Sequence, residues 1–336
     1  GIYRRGPGGG REAGGVSKNQ KHGRGPDRDQ TREREMTANP GQRAGFVAIV
    51  GAPNVGKSTL LNRLVGAKVS IVSPKVQTTR TRVLGICIEG PAQIIFIDTP
   101  GIFQPRRRLD RAMVAAAWIG TAEADEVLLL VDASRGLDRN TAAIVKKLKR
   151  AERTVILAIN KVDLVNKPDL LALAAELNEA GAFTDTFMIS AETGDGVADL
   201  MALLAGRVAA GRWLFPEDQI SDMPGRLTAA EITREQLYLQ LHKELPYAAA
   251  VETESWKDQD DGSLRIEQVV YVERGSQKAI VLGKKGSRVK SIGEAARKEL
   301  EEIFGRRVHL FLFVKVRGNW GDDPERYRDL GLDFDA

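Results

Sequence analysis

The segment Gly51-Ala-Pro-Asn-Val-Gly-Lys-Ser58 constrains this chain most, because it matches a phosphate-binding loop. A short apolar run, Phe46 to Val50, precedes it and predicts a buried strand, and the residues after it begin a helical pattern. The glycines let the backbone wrap a polyphosphate, and the helix N-terminus adds positive potential. Lys57 would reach the outer phosphates and Ser58 would ligate Mg²⁺. The loop therefore predicts that a nucleoside triphosphate binds at Gly51, Ala52, Pro53, Asn54, Val55, Gly56, Lys57, Ser58 and Thr59.

Short apolar runs alternate with helical patterns over residues 44–212, which we assign to one domain. These runs are continuous rather than alternating, as expected of strands that are buried on both faces of a sheet. The predicted strands are Ile94–Ile97, Val127–Val131, Val155–Ile159 and Phe187–Ile189, with helices between them as at Ala142–Arg150 and Leu170–Ala180. The pattern predicts a doubly wound α/β sheet whose ligands bind at the carboxyl ends of the strands.

Asp98-Thr-Pro-Gly101 follows the strand Ile94–Ile97 and fits the phosphate end of the same site. Asp98 can hold Mg²⁺ through a water molecule, and the Gly101 N–H can meet a γ-phosphate. Asp, Pro and Gly are also turn formers, so the segment by itself would fit an acidic turn. Combined with the phosphate loop, it predicts nucleotide contacts at Asp98, Thr99, Pro100 and Gly101.

Asn160-Lys-Val-Asp163 follows the strand Val155–Ile159 and predicts which base is bound. A carboxylate at Asp163 can accept hydrogen bonds from N1–H and the N2 amino group of guanine. Adenine has an acceptor at N1 and no N2 amine, so it would leave that acceptor unpaired and be rejected. Ser190 and Ala191, after the next strand, are expected to contact the base through backbone N–H groups. With Asn160 and Lys161, these residues predict GTP as the substrate.

The hydroxyl-rich segment from Ser73 to Arg82 resembles a switch, in which one threonine ligates Mg²⁺ only while the γ-phosphate is present. We assign that role to Thr79, with Thr78 as the alternative, and a solvated loop with incidental threonines is the competing interpretation. Ile102 occupies the position where many GTPases have a glutamine that orients water, so we expect slow turnover and stimulation by an RNA or protein partner. The predicted catalytic residues are Lys57, Thr79, Asp98 and Gly101, and the predicted Mg²⁺ ligands are Ser58, Thr79 and, through water, Asp98.

A second domain is predicted over residues 226–336, after a linker at 213–225. A helix with a capping box at Thr228 and Glu231 is followed by two strands that form a hairpin. Residues 274–290 then hold six Lys or Arg and no acid, around a Gly-Lys-Lys-Gly turn. A surface turn with lysines would explain the turn alone, but the order of elements fits a type II KH domain, which clamps about four nucleotides. The predicted RNA-binding residues are Ile280, Gly283, Lys284, Lys285, Gly286, Arg288 and Lys290.

Length, composition and charge limit the number of domains, the cellular compartment and the nature of the N-terminal tail. The 336 residues suffice for two domains, and the single cysteine, Cys87, fits a reducing cytosol. Residues 1–35 hold nine Lys or Arg and five Asp or Glu, so this tail supplies most of the net charge of +5. We predict that residues 1–43 are a disordered basic tail, with Met36 as a candidate natural start; a genuine RNA-binding arm is the alternative. With no apolar run of about 20 residues, we expect a cytoplasmic protein.

From about Gly45 to Phe334 the chain resembles the bacterial Era GTPase family. Besides the nucleotide motifs, the resemblance rests on Gln77-Thr-Thr-Arg80, Glu244-Leu-Pro-Tyr247, the Gly283 to Gly286 loop and Val314-Lys-Val-Arg-Gly-Asn-Trp320. It implies Mg²⁺-dependent GTP hydrolysis and assistance to assembly of the small (30S) ribosomal subunit, with the KH domain holding the 3′ end of 16S rRNA. It also suggests that Asn54 coordinates K⁺, although a hydrogen-bonded loop asparagine is an equal alternative. A monomer, and peripheral association with the inner face of the cell membrane, are further expectations.

Two other classes of function compete with this interpretation. The chain could be a constitutive rRNA-binding module whose GTPase domain is a passive anchor, but intact Lys57, Asp98 and Asp163 argue against it. A tRNA-modifying relative is disfavoured by the lack of a C-terminal cysteine and of a second phosphate loop. An RNA-regulated GTPase is therefore the favoured prediction.

Overall fold

The computed structural model describes residues 41–75, 78–80, 82–241, 249–318 and 324–336. Nearly all of the predicted basic tail, including Met36, lies outside these ranges. So do Gln77, the stretch from Glu244 to Tyr247, and Asn319 with Trp320. In the described part of the chain no helix is both long and apolar enough to cross a membrane.

The first sheet has six strands in the spatial order β2-β3-β1-β4-β5-β6. Its strands are β1 (Arg43–Val50), β2 (Val83–Glu89), β3 (Ala92–Asp98), β4 (Glu126–Asp132), β5 (Val155–Asn160) and β6 (Asp185–Ile189). Only β2 is antiparallel to its neighbour. Every residue of β3 and β5 is buried, because helices cover both faces of the sheet. The doubly wound α/β fold is therefore confirmed.

Five helices accompany this sheet in the described chain. They are α1 (Lys57–Val65), α2 (Arg108–Glu123), α3 (Arg139–Arg150), α4 (Lys167–Ala180) and α5 (Val197–Arg207). The phosphate loop connects β1 directly to α1, and the Asp98 and Asn160 motifs begin at the last residues of β3 and β5. The three motifs consequently meet at one edge of the sheet, where its parallel strands end.

The second unit packs helices on a three-stranded sheet of order β7-β8-β9. Its elements are α6 (Gly225–Gln240), β7 (Ala249–Asp258), β8 (Leu264–Val272), α7 (Gly275–Leu282), a 3₁₀ turn (Lys284–Gly286), α8 (Ser287–Phe304) and β9 (Val308–Val316). The predicted hairpin is present as the antiparallel pair β7–β8, and β9 runs parallel to β8. This is the type II KH arrangement that the sequence predicts.

One detail of this unit differs from prediction. Helix α6 begins at Gly225, so the predicted capping box is wrong: Thr228 Oγ1 donates to Pro224 O within the first turn, and Glu231 pairs with Arg234. Proline before the helix supplies no N–H and has a fixed φ, which favours a start at that point. The lysine turn leads directly into helix α8, which begins at Ser287.

The segment between the two units lies along the edge of the first sheet. The side chain of Gln93 on β3 accepts hydrogen bonds from the backbone N–H groups of Leu214 and Phe215, at 2.8 and 3.0 Å. Further along, Asp222 accepts from the Leu84 N–H on β2. The segment predicted as a linker is therefore hydrogen-bonded to the GTPase sheet.

The C-terminal residues return to the first unit. Tyr327 of α9 (Pro324–Asp329) and Leu332, which follows the helix, pack against Met113 of α2. The guanidinium of Arg108 lies over the Phe334 ring, 4.3 Å from its centroid. The last residues thus contact the helix that follows the Asp98 motif.

Candidate GTP site and RNA-binding surface

The phosphate loop is folded around its own lysine. Lys57 Nζ donates to the carbonyl oxygens of Gly51 and Ala52, at 3.3 and 3.0 Å. Burial lowers the Lys57 pKa to about 8, against the attraction of Asp98. Gly56 has a φ of +100°, and a Cβ there would lie 2.4 Å from Asn160 Nδ2, so only glycine fits. A buried ammonium held by two carbonyls is ready to exchange them for phosphate oxygens.

Four hydroxyl and carboxylate groups meet at the predicted magnesium position. Asp98 Oδ2 accepts from Ser58 Oγ and Ser70 Oγ, both at 2.8 Å, and from Thr79 Oγ1 at 3.3 Å. The Ser58 and Thr79 hydroxyl oxygens are 2.9 Å apart. Burial raises the pKa of Asp98, although Lys57 and the three hydroxyls oppose this shift. The structure thus brings together Ser58, Thr79 and Asp98, as predicted, and adds Ser70.

These residues fit Mg²⁺. Hydroxyl, carboxylate and water oxygens are the ligands this hard cation takes, and it keeps several waters in nucleotide sites. The second carboxylate oxygen, Asp98 Oδ1, is buried and has no hydrogen-bond partner in the described chain. An orphaned acceptor of this kind is what a water of a hydrated cation would satisfy. Thr78 is placed differently, because its hydroxyl contacts Ser73 and Lys75 O, which favours Thr79 of the two candidates.

The segment after Asp98 divides into structural and site-facing residues. Thr99 is 1% exposed and its hydroxyl donates to Ile49 O, so its side chain holds β1 rather than facing a nucleotide. Pro100 is buried as well. Gly101 lies so close to the phosphate loop that an added Cβ would be 2.9 Å from Pro53 Cα. Ile102 is buried, with its N–H bonded to Gly51 O, so its side chain has no part in orienting water.

The base-binding motif is tied to the phosphate loop. Asn160 Nδ2 donates to Val55 O at 2.8 Å, and Lys161 Nζ donates to Asn54 O at 2.8 Å. Lys161 also pairs with Asp132, 2.6 Å away at the end of β4. Although burial alone would raise the pKa of Asp132, hydrogen bonds from Lys161 and Ser134 hold it below its ordinary value. Asp163 lies in a 3₁₀ turn and is exposed, so its carboxylate is accessible to a base.

The prediction for Ser190 and Ala191 needs correction. Both are buried beside the base motif, but their N–H groups are used within the protein: Ser190 N donates to Asp195 O, and Ala191 N donates to Asn160 Oδ1 at 2.8 Å. A buried amide requires an acceptor, and Asn160 supplies it. In this structure Ala191 therefore holds Asn160 in place, while Ser190 is bonded within its own loop, to Asp195 and Thr193. Arg63 supports the same loop by donating to Ala191 O.

A cleft of about 330 Å³ joins these groups. It is lined by residues from the phosphate loop, the switch segment and both flanking motifs, including Asn54, Lys57, Ser58, Thr79, Gly101 and Lys161. Three residues that hold side chains or loops of this site in place were not predicted: Ser70, Asp132 and Arg63. Their partners are 28 to 128 residues away in the chain, so no local pattern marks them.

The lysine turn of the second unit forms a separate surface. Gly283, Lys285 and Gly286 all have positive φ, between +53° and +77°, which turns the chain sharply between α7 and α8. Lys284, Lys285 and Lys290 are exposed, and Ile280 is 47% exposed. Arg288 donates to Ile280 O. A cleft of about 340 Å³ lies between α8 and β9 next to this turn. The predicted RNA-binding residues therefore share one face.

Together the two units define a class: a P-loop GTPase domain followed by a KH domain. Comparison with known proteins agrees, since residues 46–161 match the family model described as 50S ribosome-binding GTPase, and residues 244–321 match the KH domain model. The chain is 62% identical to the GTPase Era proteins of Brucella suis and Rhizobium meliloti over 292 residues, which is 87% of this chain and 94% and 93% of theirs.

Solved structures give the same result. An Aquifex aeolicus Era variant bound to GDP·AlF4⁻ superposes with a TM-score of 0.82 at 43% identity, covering 86% of this chain and 99% of that one. A complex of Era with MgGDPNP and nucleotides 1506–1542 of 16S ribosomal RNA matches with the same values. The chain belongs to the Era family of GTPases.

The exposed carboxylate of Asp163 generates a prediction about the base. With Asp163→Asn, the amide no longer accepts from the guanine N2 amine but can donate to the 2-oxo group of xanthine. We expect GTP affinity to fall about 100-fold or more and XTP to become the better ligand. Competition against a fluorescent GDP measures both. Asp169→Asn, the same change at another exposed aspartate, is the control. An unchanged ratio of GTP to XTP affinity in Asp163→Asn would contradict the assignment.

The lowered pKa of Lys57 predicts a pH dependence. Below about pH 8 the ammonium is charged and attracts phosphate, and above it the empty site loses that proton. Nucleotide affinity should therefore be flat below pH 8 and fall above it, by up to about tenfold per pH unit. Equilibrium titration with fluorescent GDP from pH 6.5 to 9.5 tests this. Lys57→Arg should bind more weakly but without the decline, since guanidinium stays charged; a similar decline in both proteins would refute the role of Lys57.

Proposed function

We propose that this protein is a GTP-hydrolysing molecular switch that binds 16S rRNA near its 3′ end and assists assembly of the small ribosomal subunit. The observation that supports this most is the union, in one chain, of a complete GTP site with an exposed basic KH turn. A relative of 43% identity is bound to nucleotides 1506–1542 of 16S rRNA. One matching family model refers to the 50S subunit, but the KH domain and that rRNA fragment favour the small subunit.

The hydrolysis site uses charge rather than covalent chemistry. Lys57 exchanges its two carbonyl partners for phosphate oxygens, and the Gly101 N–H donates to the γ-phosphate. Ser58, Thr79 and, through water, Asp98 hold Mg²⁺, which neutralises charge that develops on the phosphates. Asp163 selects guanine, while Asn160 and Lys161 fix the base motif to the phosphate loop.

Turnover is controlled by a partner in this proposal. Ile102 is buried and cannot orient the attacking water, so intrinsic hydrolysis is slow. Binding of rRNA or of the assembling subunit supplies the missing stimulation. We place this cycle in the cytoplasm, in a monomer; peripheral membrane association stays a prediction of the family resemblance.

We also propose that Asn54 ligates K⁺ beside the phosphates, where it would add the positive charge that other GTPases take from an arginine. Asn54 lines the cleft in a left-handed conformation (φ +65°), and its Nδ2 donates to Pro74 O, so Oδ1 is the atom to offer a cation. Asn54→Ala should abolish any difference between single-turnover GTP hydrolysis in K⁺ and in Na⁺ at equal ionic strength. If wild-type rates are equal in the two salts, the proposal fails.

The RNA-binding surface can be tested by reversing its charge. Lys284→Glu with Lys285→Glu should lower affinity for a 16S 3′-end RNA by more than about tenfold at moderate salt, since phosphate contacts are lost and like charge is added. Lys146→Glu with Lys149→Glu makes the same charge change on the exposed face of α3 and should have little effect. Fluorescence anisotropy gives the affinities.

Footprinting with GTP, with GDP and without nucleotide then locates the contact. Protection that appears at the 3′ end of 16S rRNA and depends on nucleotide supports the switch, whereas protection elsewhere overturns the substrate. A constitutive RNA-binding module is favoured instead if Lys57→Ala leaves GTP hydrolysis unchanged.

A further inference from the structure

The residues from Lys68 to Val72 join the two domains at the start of the switch segment. In the sequence Ile71 belongs to the GTPase domain. It is nevertheless only 4% exposed, and it belongs to the same buried apolar cluster as Ala229, Ile232, Leu264 and Leu300 of the KH domain. On either side of it, Lys68 pairs with Glu235 and Glu299, and the Val72 N–H donates to Glu235 Oε1 at 2.8 Å. The KH domain thus holds this segment by one apolar and three polar contacts.

Ser70, the neighbour of Ile71, contacts the GTP site. Its hydroxyl is buried and donates to Asp98 Oδ2 at 2.8 Å. Its backbone is held by Asn62 of α1, whose Oδ1 accepts the N–H groups of Val69 and Ser70 and whose Nδ2 donates to Ser70 O. Two adjacent residues therefore face different domains: Ile71 packs in the KH core, and Ser70 contacts the carboxylate of Asp98.

We propose that Ser70 is a positioning residue for Asp98, and that the KH domain sets the position of Ser70 through Ile71. Of the three hydroxyls on Asp98, those of Ser58 and Thr79 are the ones assigned to the cation, so they turn from the carboxylate when it binds. Ser70 is the donor that keeps its hydrogen bond to Asp98 Oδ2 when the cation is bound. A buried carboxylate that holds a metal through water needs such a fixed donor to keep its orientation. This inference rests on the assignment of Asp98 under Proposed function.

The same contacts connect KH docking with nucleotide release. If the KH domain moves away, Ile71 leaves an apolar core and its segment loses the contacts of Lys68 and Val72. Ser70 then loses its fixed place, Asp98 holds the cation less well, and GDP dissociates faster. By linkage, Mg²⁺ with nucleotide must in turn favour the docked KH domain.

The release of fluorescent GDP, measured across a range of free Mg²⁺ concentrations, tests the role of Ser70. In Ser70→Ala the Mg²⁺ concentration for half-maximal slowing should rise about tenfold, while release in EDTA should match wild type. Ser263→Ala removes a buried hydroxyl that donates to Asp261 in the KH domain, and it should leave the Mg²⁺ midpoint unchanged. An unchanged midpoint in Ser70→Ala overturns the positioning role.

Two variants test the KH contribution without changing Asp98: Lys68 lies outside the nucleotide cleft, whereas Ile71 also lines it. Ile71→Ala removes the apolar contact, and Lys68→Met removes the ion pairs while leaving the KH core intact. Both should raise the Mg²⁺ midpoint, by about fivefold or more, in the absence of RNA. Ile119→Ala, an exposed isoleucine on α2, is the control. A wild-type midpoint in both Ile71→Ala and Lys68→Met overturns the coupling.

The outcomes separate this inference from the function on which it rests. If Mg²⁺ fails to slow GDP release from the wild-type protein, the assignment of Asp98 to the cation is wrong. If Mg²⁺ slows release from wild type and Ser70→Ala behaves identically, only the inference fails. The RNA footprint is independent of both results.

Discussion

A carboxylate buried at the end of a parallel strand organises this molecule. Asp98 is 0% exposed, and a charge in that position is costly unless donors and cations surround it. Lys57 and Ser58 come from the phosphate loop, Thr79 from the switch segment, and Ser70 from the segment anchored in the KH domain. Three stretches of chain are thereby required to converge on one carboxylate. The GTP site and the domain interface are consequences of the same electrostatic requirement.

The parts of the fold that follow from local pattern were predictable from the sequence. Continuous apolar runs marked β3, β4 and β5, because strands covered on both faces tolerate few polar residues. The run at β6 marked a strand as well, but β6 is at the edge of the sheet and only Ile189 in it is buried. The lysine turn was predictable too, since Gly283 and Gly286 supply the positive φ that such a turn needs. The Asp98 and Asn160 motifs were found because their residues are contiguous and follow strands.

Much of what the sequence did not reveal depends on distant partners. Ser70 looks like any loop serine until the fold brings Asp98 to it across 28 residues. Ala191 was expected to offer its N–H to a base, but burial committed that group to Asn160. In both cases a tertiary hydrogen bond decided the role of the residue. Thr228 and Glu231 failed for a local reason: they have the spacing of a capping box, but α6 begins earlier, after Pro224, and within it Glu231 pairs with the buried Arg234.

The positions of Ile102 and Ile71 together suggest how one fold separates catalysis from control. In the proposed cycle, a buried isoleucine at the water-orienting position would keep hydrolysis slow unless a partner intervenes. A second isoleucine, inserted in the KH core beside Ser70, makes the cation site depend on where the KH domain sits. Since coupling between two sites is reciprocal, an RNA that displaces the KH domain would also alter nucleotide binding. Chemistry at the phosphates and recognition at the lysine turn are then linked through the segment Lys68 to Val72, and Arg234 adds a further contact between the two units by donating to Thr78 O.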